Sequence, residues 1–233
     1  MGRLHHLRET LPANLINTES YPNREFIILN YGSKDGLHEW IKEMKPWIDK
    51  GIVKYFRTQQ PEFFVATHSK NIAHRQGTGE ILCNVDADNF LCKGYVEFLA
   101  AHLANNDTIV AASPSDIFEV AGSCGKIAVR REHFYAVNGY DEDWNIGWGW
   151  DDTNFQYRAR MHSNLKLVVA EKKWHRAIDH TNEERAMNFR DQDITKTTKM
   201  SRERLEEIAK TQDYIANKNR EWGQVSDLST NLE

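Results

Sequence analysis

The stretch EILCNVDADN, residues 80–89, decides the fold of this chain. EILCNV is a short apolar run of the kind that forms a buried strand, and two aspartates follow it directly. In extended backbone, period two puts Asp86 and Asp88 on one side, where two carboxylates repel unless a cation lies between them. Mg²⁺ and Mn²⁺ accept such oxygen ligands. The alternative is a turn completed by Asn89.

Strands alternate with helices on both sides of this stretch. We predict strands at EFIILN (25–30), IVKYF (52–56), EILCNV (80–85) and TIVAA (108–112), and helices at 36–48, 67–77 and 94–104. This order predicts an α/β fold, with a mostly parallel sheet flanked by helices. Ligands of such sheets bind beyond the carboxyl ends of the strands, where NYGSKD (30–35) and DADN (86–89) both fall.

The second half of the chain is more mixed. Strands are predicted at GKIAVR (125–130) and LKLVVA (165–170), and helices at 131–139, 151–161 and 201–218, the last capped by Ser201. Without repeats or a linker, we predict one domain over residues 1–182, with a first half at 24–112 and a second half at 113–182. Residues 183–233 form a helical C-terminal extension packed on the same domain.

Composition excludes several classes of protein. The net charge of −4 argues against nucleic acid as the main partner, because phosphate binding usually requires a basic excess. No apolar run approaches the ~20 residues of a membrane span, and the first residues lack a signal-peptide core. The three cysteines have no metal-type spacing, which indicates free or buried thiols in a reducing compartment. We therefore expect a cytoplasmic protein.

A metal held by two carboxylates usually needs a further protein ligand. His180, in AIDHTNEER, follows the last predicted strand and should lie near the same sheet edge as Asp88. His175, in KKWHR, is the competing candidate. A surface or helix-capping histidine is the alternative for either.

The stretch NIGWGWDDTNF, residues 145–155, places bulky rings among glycines just before two carboxylates. Such rings offer flat apolar faces to a ligand, although we expect Trp144 in the core. The glycines would allow a closing loop to move. Asp152 lies at the start of a predicted helix, where the dipole favours an ionised carboxylate. The alternative is that Asp151 or Asp152 is an N-cap.

With these stretches in order, the chain resembles the GT-A glycosyltransferases over roughly residues 24–182. It is most similar to the inverting enzymes of family two and the β-1,4-galactosyltransferases. NYGSKD resembles their nucleotide-binding turn, and residues 67–89 their donor-binding helix, strand and Asp-x-Asp. VNGYDEDWNIGWGWDD (137–152) resembles Asn-Gly-Phe/Tyr followed by Trp-Gly-Gly-Glu-Asp, and DHT (179–181) resembles their late metal-binding histidine.

The resemblance implies that residues 1–182 are a catalytic domain, with a nucleotide-sugar half at 24–112 and an acceptor half at 113–182. It also implies a role for each matching residue. Asp88 and His180 would bind Mn²⁺ (or Mg²⁺), and Asp86 would hold the metal or the ribose. Asp152 would be the catalytic base, and Asp151 would contact the donor sugar or the acceptor. The remaining implied contacts are to the donor nucleotide, from Asn30, Tyr31, Ser33, Asp35, His68, Asn71 and Arg75, and to the sugar or acceptor, from Trp148, Gly149 and Trp150.

The match departs from the family at two positions. Trp150 replaces the second glycine of Trp-Gly-Gly, which predicts a stiffer loop. Ala177 stands where the galactosyltransferases have a methionine ligand, so the metal would take more water or a different ligand. Two residues have open alternatives, since Tyr31 could stack on a base or pack under its turn, and Arg75 could be a solvated helix residue. In the tail, NKNREWG (217–223) could fold over the diphosphate or be an exposed helix end.

The resemblance therefore implies a metal-dependent inverting transferase that moves a sugar from a nucleotide donor, UDP-linked in our expectation, to a glycan hydroxyl. Synthesis of a surface polysaccharide is the expected setting. A sugar-phosphate nucleotidyltransferase is one alternative, but it predicts a glycine-rich basic loop that NYGSKDG (30–36) matches poorly. A non-catalytic glycan-binding module is the other, and it would not need Asp86, Asp88, Asp152 and His180 together.

Overall fold

The structure is a computed structural model that describes residues 1–112, 123–144 and 147–232. Its strands are β1 Phe26–Tyr31, β2 Val53–Thr58, β3 Ile81–Cys83, β4 Asn89–Phe90, β5 Thr108–Ala112, β6 Ala128–Arg130, β7 Lys166–Ala170 and β8 Arg176–Ala177. Its α-helices are α1 Leu4–Asn17, α2 Leu37–Trp40, α3 Lys45–Ile48, α4 Ala66–Gln76, α5 Tyr95–His102, α6 Arg131–Ala136, α7 Asp151–Ser163, α8 Asn182–Ala186 and α9 Ile194–Thr211. The predicted α/β class is confirmed.

The sheets are partly parallel. β1 and β2 form one parallel ladder with Phe26 opposite Val53. The larger sheet has the order β3–β6–β5–β7, in which β5 and β7 are parallel and β6 is antiparallel to both of its neighbours. A third ladder joins β4 to β8 in antiparallel register. The expectation of a mostly parallel sheet therefore overestimated the number of parallel ladders, because β6 reverses the chain direction.

Apolar faces of the helices and strands form the core on both sides of the larger sheet. On one side Ile109 and Val129 pack with Phe134 and Phe155. On the other side Val110 and Ala128 of the same strands pack with α5. A cavity of about 820 Å³ is lined by residues of both β1 and β3.

Helix α1 was not predicted from the sequence. Its Leu11 and Leu15 pack against the helices that follow β1. Its polar side supports the DADN segment, since Thr10 Oγ1 donates to the Ala87 carbonyl at 2.7 Å and Asn14 Nδ2 donates to the Asn89 carbonyl at 3.0 Å. The first helix of the chain therefore helps to hold the candidate metal-binding carboxylates.

The C-terminal part departs from the prediction at both ends of its helix. α9 begins at Ile194 and is capped by Asp193, whose carboxylate accepts from the Lys196 amide. Ser201 is therefore not an N-cap but a buried residue within the helix. Trp222 packs in the core beside Phe134, so the tail is not an exposed helix end.

The predicted helix over 36–48 is also broken into α2, a 3-10 turn (Ile41–Met44) and α3, and Pro46 lies in the first turn of α3. Within the described ranges, no helix combines the length and apolar character needed to cross a membrane.

Candidate active site

The antiparallel ladder between β4 and β8 brings Asp88 and His180 together. Asp88 immediately precedes β4, and the Ile178 amide, just past β8, donates to the Asp88 carbonyl at 2.8 Å. His180 Nε2 consequently lies 2.6 Å from Asp88 Oδ2. His175, the competing candidate, is buried and its Nε2 is 2.9 Å from the Ala170 carbonyl. The structure thus brings His180, and not His175, to the carboxylate.

Asp86 lies close to this pair in a turn. The strand ends at Cys83, and the Asn89 amide donates to the Asp86 carbonyl at 2.9 Å. The turn that we had kept as an alternative is therefore present, and the period-two argument does not apply because the backbone is not extended. Burial raises the pKa of Asp86, and the nearby Asp88 charge raises it further, so the two carboxyl groups still interact.

The position of Asp86 is fixed by its neighbours. Asn84 Nδ2 donates to Asp86 Oδ1 at 3.0 Å and to the Gly125 carbonyl at 2.8 Å. A Cβ on Gly125 would collide with Asp86 Oδ2. Gly125 is therefore needed for close approach of the backbone to the carboxylate, a requirement that its strand-like sequence context did not reveal.

Asp88 and His180 fit a divalent metal by the chemistry of their donor atoms. A carboxylate oxygen and an imidazole nitrogen are both suitable ligands for Mn²⁺. His180 Nδ1 is buried and has no hydrogen-bond partner in the described part of the chain. Across residues 1–112, 123–144 and 147–232, no three His, Cys, Asp or Glu side chains converge on one point. Two protein ligands therefore fit, and Asp86 does not complete a third in this arrangement.

His6 of α1 is a neighbour of this pair that the sequence analysis missed. Its ring stacks on the His180 ring with centroids 5.3 Å apart, and the residue is only 4% exposed. Burial lowers the pKa of His6 to about 4, and the charges of His5 and Arg3 act in the same direction. His6 is therefore neutral at physiological pH. No sequence signal selected His6, because the helix that carries it was not predicted.

The second acidic group forms at the start of α7. Lys70 of α4 places Nζ 2.7 Å from Asp151 Oδ2 and 2.6 Å from Asp152 Oδ1. The N-cap position belongs to Trp150, and no side chain caps the helix. Neither aspartate is therefore an N-cap, and the pair is bound by one lysine that the sequence analysis did not select.

The protonation state of Asp152 differs from the expectation based on the helix dipole. Burial, together with the adjacent Asp151 charge, raises the pKa of Asp152 to about 7, although Lys70 acts in the opposite direction. Asp86 also contributes, so the two acidic groups share one electrostatic environment. Asp152 is poised near neutrality, where a general base is most effective.

The loop that precedes α7 is held by α9. Thr197 Oγ1 donates to the Trp148 carbonyl at 2.8 Å, and Ser201 Oγ donates to the Gly149 carbonyl at 3.1 Å. The buried Trp144 also donates to Gly149, through Nε1 at 2.9 Å, which confirms its place in the core. Residues 145 and 146 of the predicted sugar-binding stretch lie outside the described residues.

Trp148 and Trp150 differ in their surroundings. Trp148 is half-buried, with the Arg185 guanidinium 5.9 Å from its ring centre. Trp150 is 38% exposed and has φ +57°, a conformation that favours glycine. The backbone at 150 thus keeps the glycine-type conformation implied by the family pattern, while a large ring is presented to solvent.

The residues expected to bind the nucleotide from the NYGSKD turn are mostly used within the fold. Asn30 donates to the Tyr55 hydroxyl at 2.9 Å and accepts from the Ser33 amide at 2.9 Å. Tyr31 is only 2% exposed, so it packs under its turn and does not offer a face to a base. Ser33 Oγ accepts from the Gly2 amide at 2.7 Å. Asn30 and Tyr31 therefore support the turn, and their contacts with a nucleotide stay a prediction.

Asp35 of the same turn binds backbone amides, accepting from Leu4 at 2.8 Å and from Leu37 at 3.3 Å. Its polar contacts are therefore also made within the fold.

Polar side chains of helix α4 are also used within the fold. Asn71 is 0% exposed, and its amide donates to the Tyr140 carbonyl and accepts from the Tyr140 amide. Arg75 donates to the Trp222 carbonyl at 3.0 Å and lies over that ring. His68 bonds the Tyr31 hydroxyl at 2.8 Å through Nδ1. Asn71 and Arg75 therefore anchor the 139–142 and C-terminal segments, and the donor contacts of this helix stay a prediction.

A cavity of about 710 Å³ nevertheless lies at the carboxyl ends of β1 and β2. The polar residues at its wall include Ser33, Lys34, Asp35, Arg57, Gln59 and Glu62. Its position agrees with the expected location of a ligand in an α/β sheet.

Comparison with known proteins identifies the chain's relatives. Residues 3–165 match the family model described as Glycosyl transferase family 2. A search of curated protein sequences finds no significant match.

Solved structures share the fold. A mannosyltransferase from Pyrobaculum calidifontis, in complex with GDP-Man and Mn²⁺, has a TM-score of 0.60 at 20% identity over 75% of this chain and 54% of its own. S. aureus TarS 1-349 has a TM-score of 0.57 at 15% identity over 75% and 56%. GalNAc-T7 with UDP, GalNAc and Mn²⁺ has a TM-score of 0.58 at 16% identity over 76% and 41%. The chain spans about half the length of these structures. The predicted GT-A fold is confirmed.

Proposed function

Because this chain belongs to glycosyltransferase family 2, we propose that it transfers a sugar from a nucleotide-diphosphate donor to a hydroxyl group of a glycan. The observation that carries the proposal is the proximity of two acidic groups with different partners. Asp88 contacts His180, Asp151 and Asp152 contact Lys70, and Asp86 interacts electrostatically with both groups. We also propose that residues 1–182 are the catalytic unit and that 183–233 extend it.

The first group suits the leaving side of the reaction. Asp88 and His180 would hold Mn²⁺ or Mg²⁺, which supplies positive charge to the departing diphosphate when bound. The complexes of the mannosyltransferase with GDP-Man and Mn²⁺, and of GalNAc-T7 with UDP and Mn²⁺, support a nucleotide sugar and a divalent metal. For this chain we propose a UDP-sugar, with its nucleoside in the 710 Å³ cavity beside Ser33 and Asp35.

The second group suits the attacking side. The acceptor oxygen forms a bond to the anomeric carbon as its O–H bond breaks, and the proton goes to the Asp152 carboxylate. The bond from the anomeric carbon to the diphosphate breaks at the same time, and its electron pair leaves with the diphosphate. A single displacement from the opposite face inverts the anomeric configuration. A base of this kind typically contributes ~10²–10⁴-fold in rate.

We propose that the tryptophan rings that precede α7 bind the sugar. The exposed Trp150 can cover an apolar sugar face, and Trp148 lies deeper in the same loop. Exclusion of water by bound sugar and loop protects the donor from hydrolysis. We propose that the acceptor is a growing surface polysaccharide or glycoconjugate.

Thermal unfolding with Mn²⁺ and UDP tests the donor side of the proposal. Bound ligand stabilises the folded state by about 2.7 kcal/mol at a concentration ~100 times its Kd, so the two ligands together should raise Tm clearly. A panel of nucleotide sugars, assayed for Mn²⁺-dependent hydrolysis without acceptor, then identifies the donor. No change in Tm with both ligands, and no hydrolysis of any donor, would overturn the proposal.

A further inference from the structure

Among the residues that the structure describes, Lys70 is the one side chain that bridges both aspartates at the start of α7. Its Nζ lies 2.7 Å from Asp151 Oδ2 and 2.6 Å from Asp152 Oδ1. The three side chains are largely buried, with 12%, 14% and 16% exposure. Buried charges are stable only when they are paired, so these three residues form a buried ion-pair network and not a solvated surface pair.

The fold fixes Lys70 from two directions. The next residue of α4, Asn71, is locked to the Tyr140 backbone by hydrogen bonds of 2.8 and 2.7 Å. The Tyr140 ring lies under the ammonium, with Nζ 5.2 Å from its centre, and stacks on Phe155 of α7 at 4.5 Å. Tyr140 therefore joins the helix that carries the lysine to the helix that carries the aspartates.

Charge around the pair is unbalanced. Lys70 faces Asp151 and Asp152 from α7 and, at longer range, Asp86 from the turn after β3. Asp152 in turn faces the Cys124 thiol and the Tyr140 phenol. One cation thus serves three carboxylates, and its loss would leave Asp151 and Asp152 to repel each other without compensation.

Each aspartate gives Lys70 only one oxygen. Asp152 Oδ1 is the atom bound, and in the described part of the chain Asp152 Oδ2 accepts no hydrogen bond. We propose that Lys70 is a positioning residue for transfer, which holds Asp151 and Asp152 together by one oxygen each and leaves Asp152 Oδ2 free to take the acceptor proton. The proton role of Asp152 rests on the proposed function, whereas the arrangement of the three charges does not.

The proposal predicts how the charge of residue 70 affects both titration and rate. Without the ammonium, Asp152 binds its proton more tightly, and burial already raises its pKa to about 7. A base must be ionised to act, so the acid limb of the pH–rate profile should move to higher pH. A shift of about one pH unit corresponds to a roughly tenfold loss of kcat/KM below the limb, with recovery at alkaline pH.

The experiment compares Lys70→Met and Lys70→Gln with Lys70→Arg, which keeps the charge. Lys45→Met is the matched control, because Lys45 pairs with Asp49 at 2.8 Å on an exposed surface. Carboxyl ¹³C NMR, assigned with Asp151→Asn and Asp152→Asn, follows the titration of the two aspartates without any substrate. The pH–rate profile of the same proteins follows transfer. Circular dichroism establishes that each variant is folded, and the two neutral variants guard against misfolding of one.

We expect both neutral variants to shift the Asp152 titration and the acid limb upward together, Lys70→Arg to restore most of the rate, and Lys45→Met to match the wild type. An unchanged titration in a folded neutral variant, or an equal loss of rate at every pH, would overturn the inference. A wild-type protein without transfer but with the shifted titration in its variants would count against the proposed function and would leave the charge arrangement supported.

Discussion

The two acidic groups of the site are both built from aspartates, but their aspartates pair with different kinds of basic side chain. Asp88 pairs with the imidazole of His180, which can be neutral and can bind a metal through the same nitrogen. Asp151 and Asp152 pair with the ammonium of Lys70, which stays charged and is no metal ligand here. The partner therefore distinguishes the proposed roles: Asp88 and His180 can bind one metal ion together, whereas Asp151 and Asp152 already have a fixed cation in Lys70.

Removal of the base should give the largest effect and separate the two groups most sharply. Asp152→Asn is expected to lower kcat by about 10³-fold, within the usual range for loss of a general base, because amide oxygen does not take the acceptor proton. Steady-state transfer at saturating donor measures it. Asp143→Asn is the control, since Asp143 is half-exposed and pairs only with surface arginines. Near-normal turnover of Asp152→Asn would remove the base from this account.

Loss of the imidazole should affect the metal side instead. His180→Gln is expected to weaken Mn²⁺ binding roughly 10–100-fold, which is the scale found when the environment of a metal ligand is damaged. Mn²⁺ EPR in the presence of UDP measures the bound fraction. His162→Gln is a matched control because His162 is on the surface, where its side chain bonds the neighbouring Ser163 hydroxyl. Equal Mn²⁺ affinity in both variants would contradict the assignment of His180 to the metal side of the site.

The pH dependence should follow the base group alone. Since the pKa of Asp152 is raised to about 7 and a base acts when ionised, kcat/KM should rise as pH increases through that value. The rise is about tenfold per pH unit below the pKa and flat above it. A profile between pH 5 and 9 in the wild type measures it. A rate that is independent of pH from 5 to 7 would contradict the raised pKa.

Gly125 links the two groups through Asp86. Gly125→Ala places a Cβ against Asp86 Oδ2, and overpacking of this kind costs roughly 1–3 kcal/mol. We expect lower Tm and weaker binding of UDP with Mn²⁺, measured by calorimetry. Gly79→Ala is the control because its added Cβ meets no atom closer than 3.4 Å. If the Gly125 variant keeps both properties, Asp86 is not held as described.

The smallest effect should come from the contacts that hold the loop. Ser201→Ala removes one hydrogen bond, to the Gly149 carbonyl, and should lower the free energy of unfolding by about 1 kcal/mol. Urea unfolding measures the change. Thr211→Ala is a suitable control, because Thr211 is exposed and bonds only within its own helix. An equal loss in the two variants would show that α9 does not anchor the loop specifically.

Periodicity predicted the central part of the fold well. Buried strands such as β5 were predicted within one or two residues, because burial requires apolar positions at a fixed spacing. Helix α4 was predicted within one residue from the glycines that follow it. Helix α1 was missed because its polar residues Thr10 and Asn14 are buried against backbone carbonyls, which obscures an apolar stripe. Ser201 resembles a cap for a similar reason, because a serine that bonds a distant segment has the same local sequence context as a capping serine.

The sequence indicated which residue types belong to the candidate site, but it did not indicate their hydrogen-bond partners. Asp88 with His180 and the pair at the start of α7 were found from motif and order. Asn30 and Asn71 were selected for their polarity, and the structure shows that their amides donate to the Tyr55 hydroxyl and the Tyr140 carbonyl. Which polar atoms remain free depends on contacts between distant segments, and no local pattern reports these.

The affinity of Asp88→Asn and Asp152→Asn for Mn²⁺ with UDP tests the division of roles most directly. The account predicts that Asp152→Asn binds Mn²⁺ within about threefold of the wild-type affinity. Asp88→Asn is predicted to lose about tenfold or more in Mn²⁺ affinity, because Asp88, and not Asp152, lies beside His180 as a proposed metal ligand. An Asp152→Asn protein that loses Mn²⁺ as completely as Asp88→Asn would contradict the separation of the metal side from the base side.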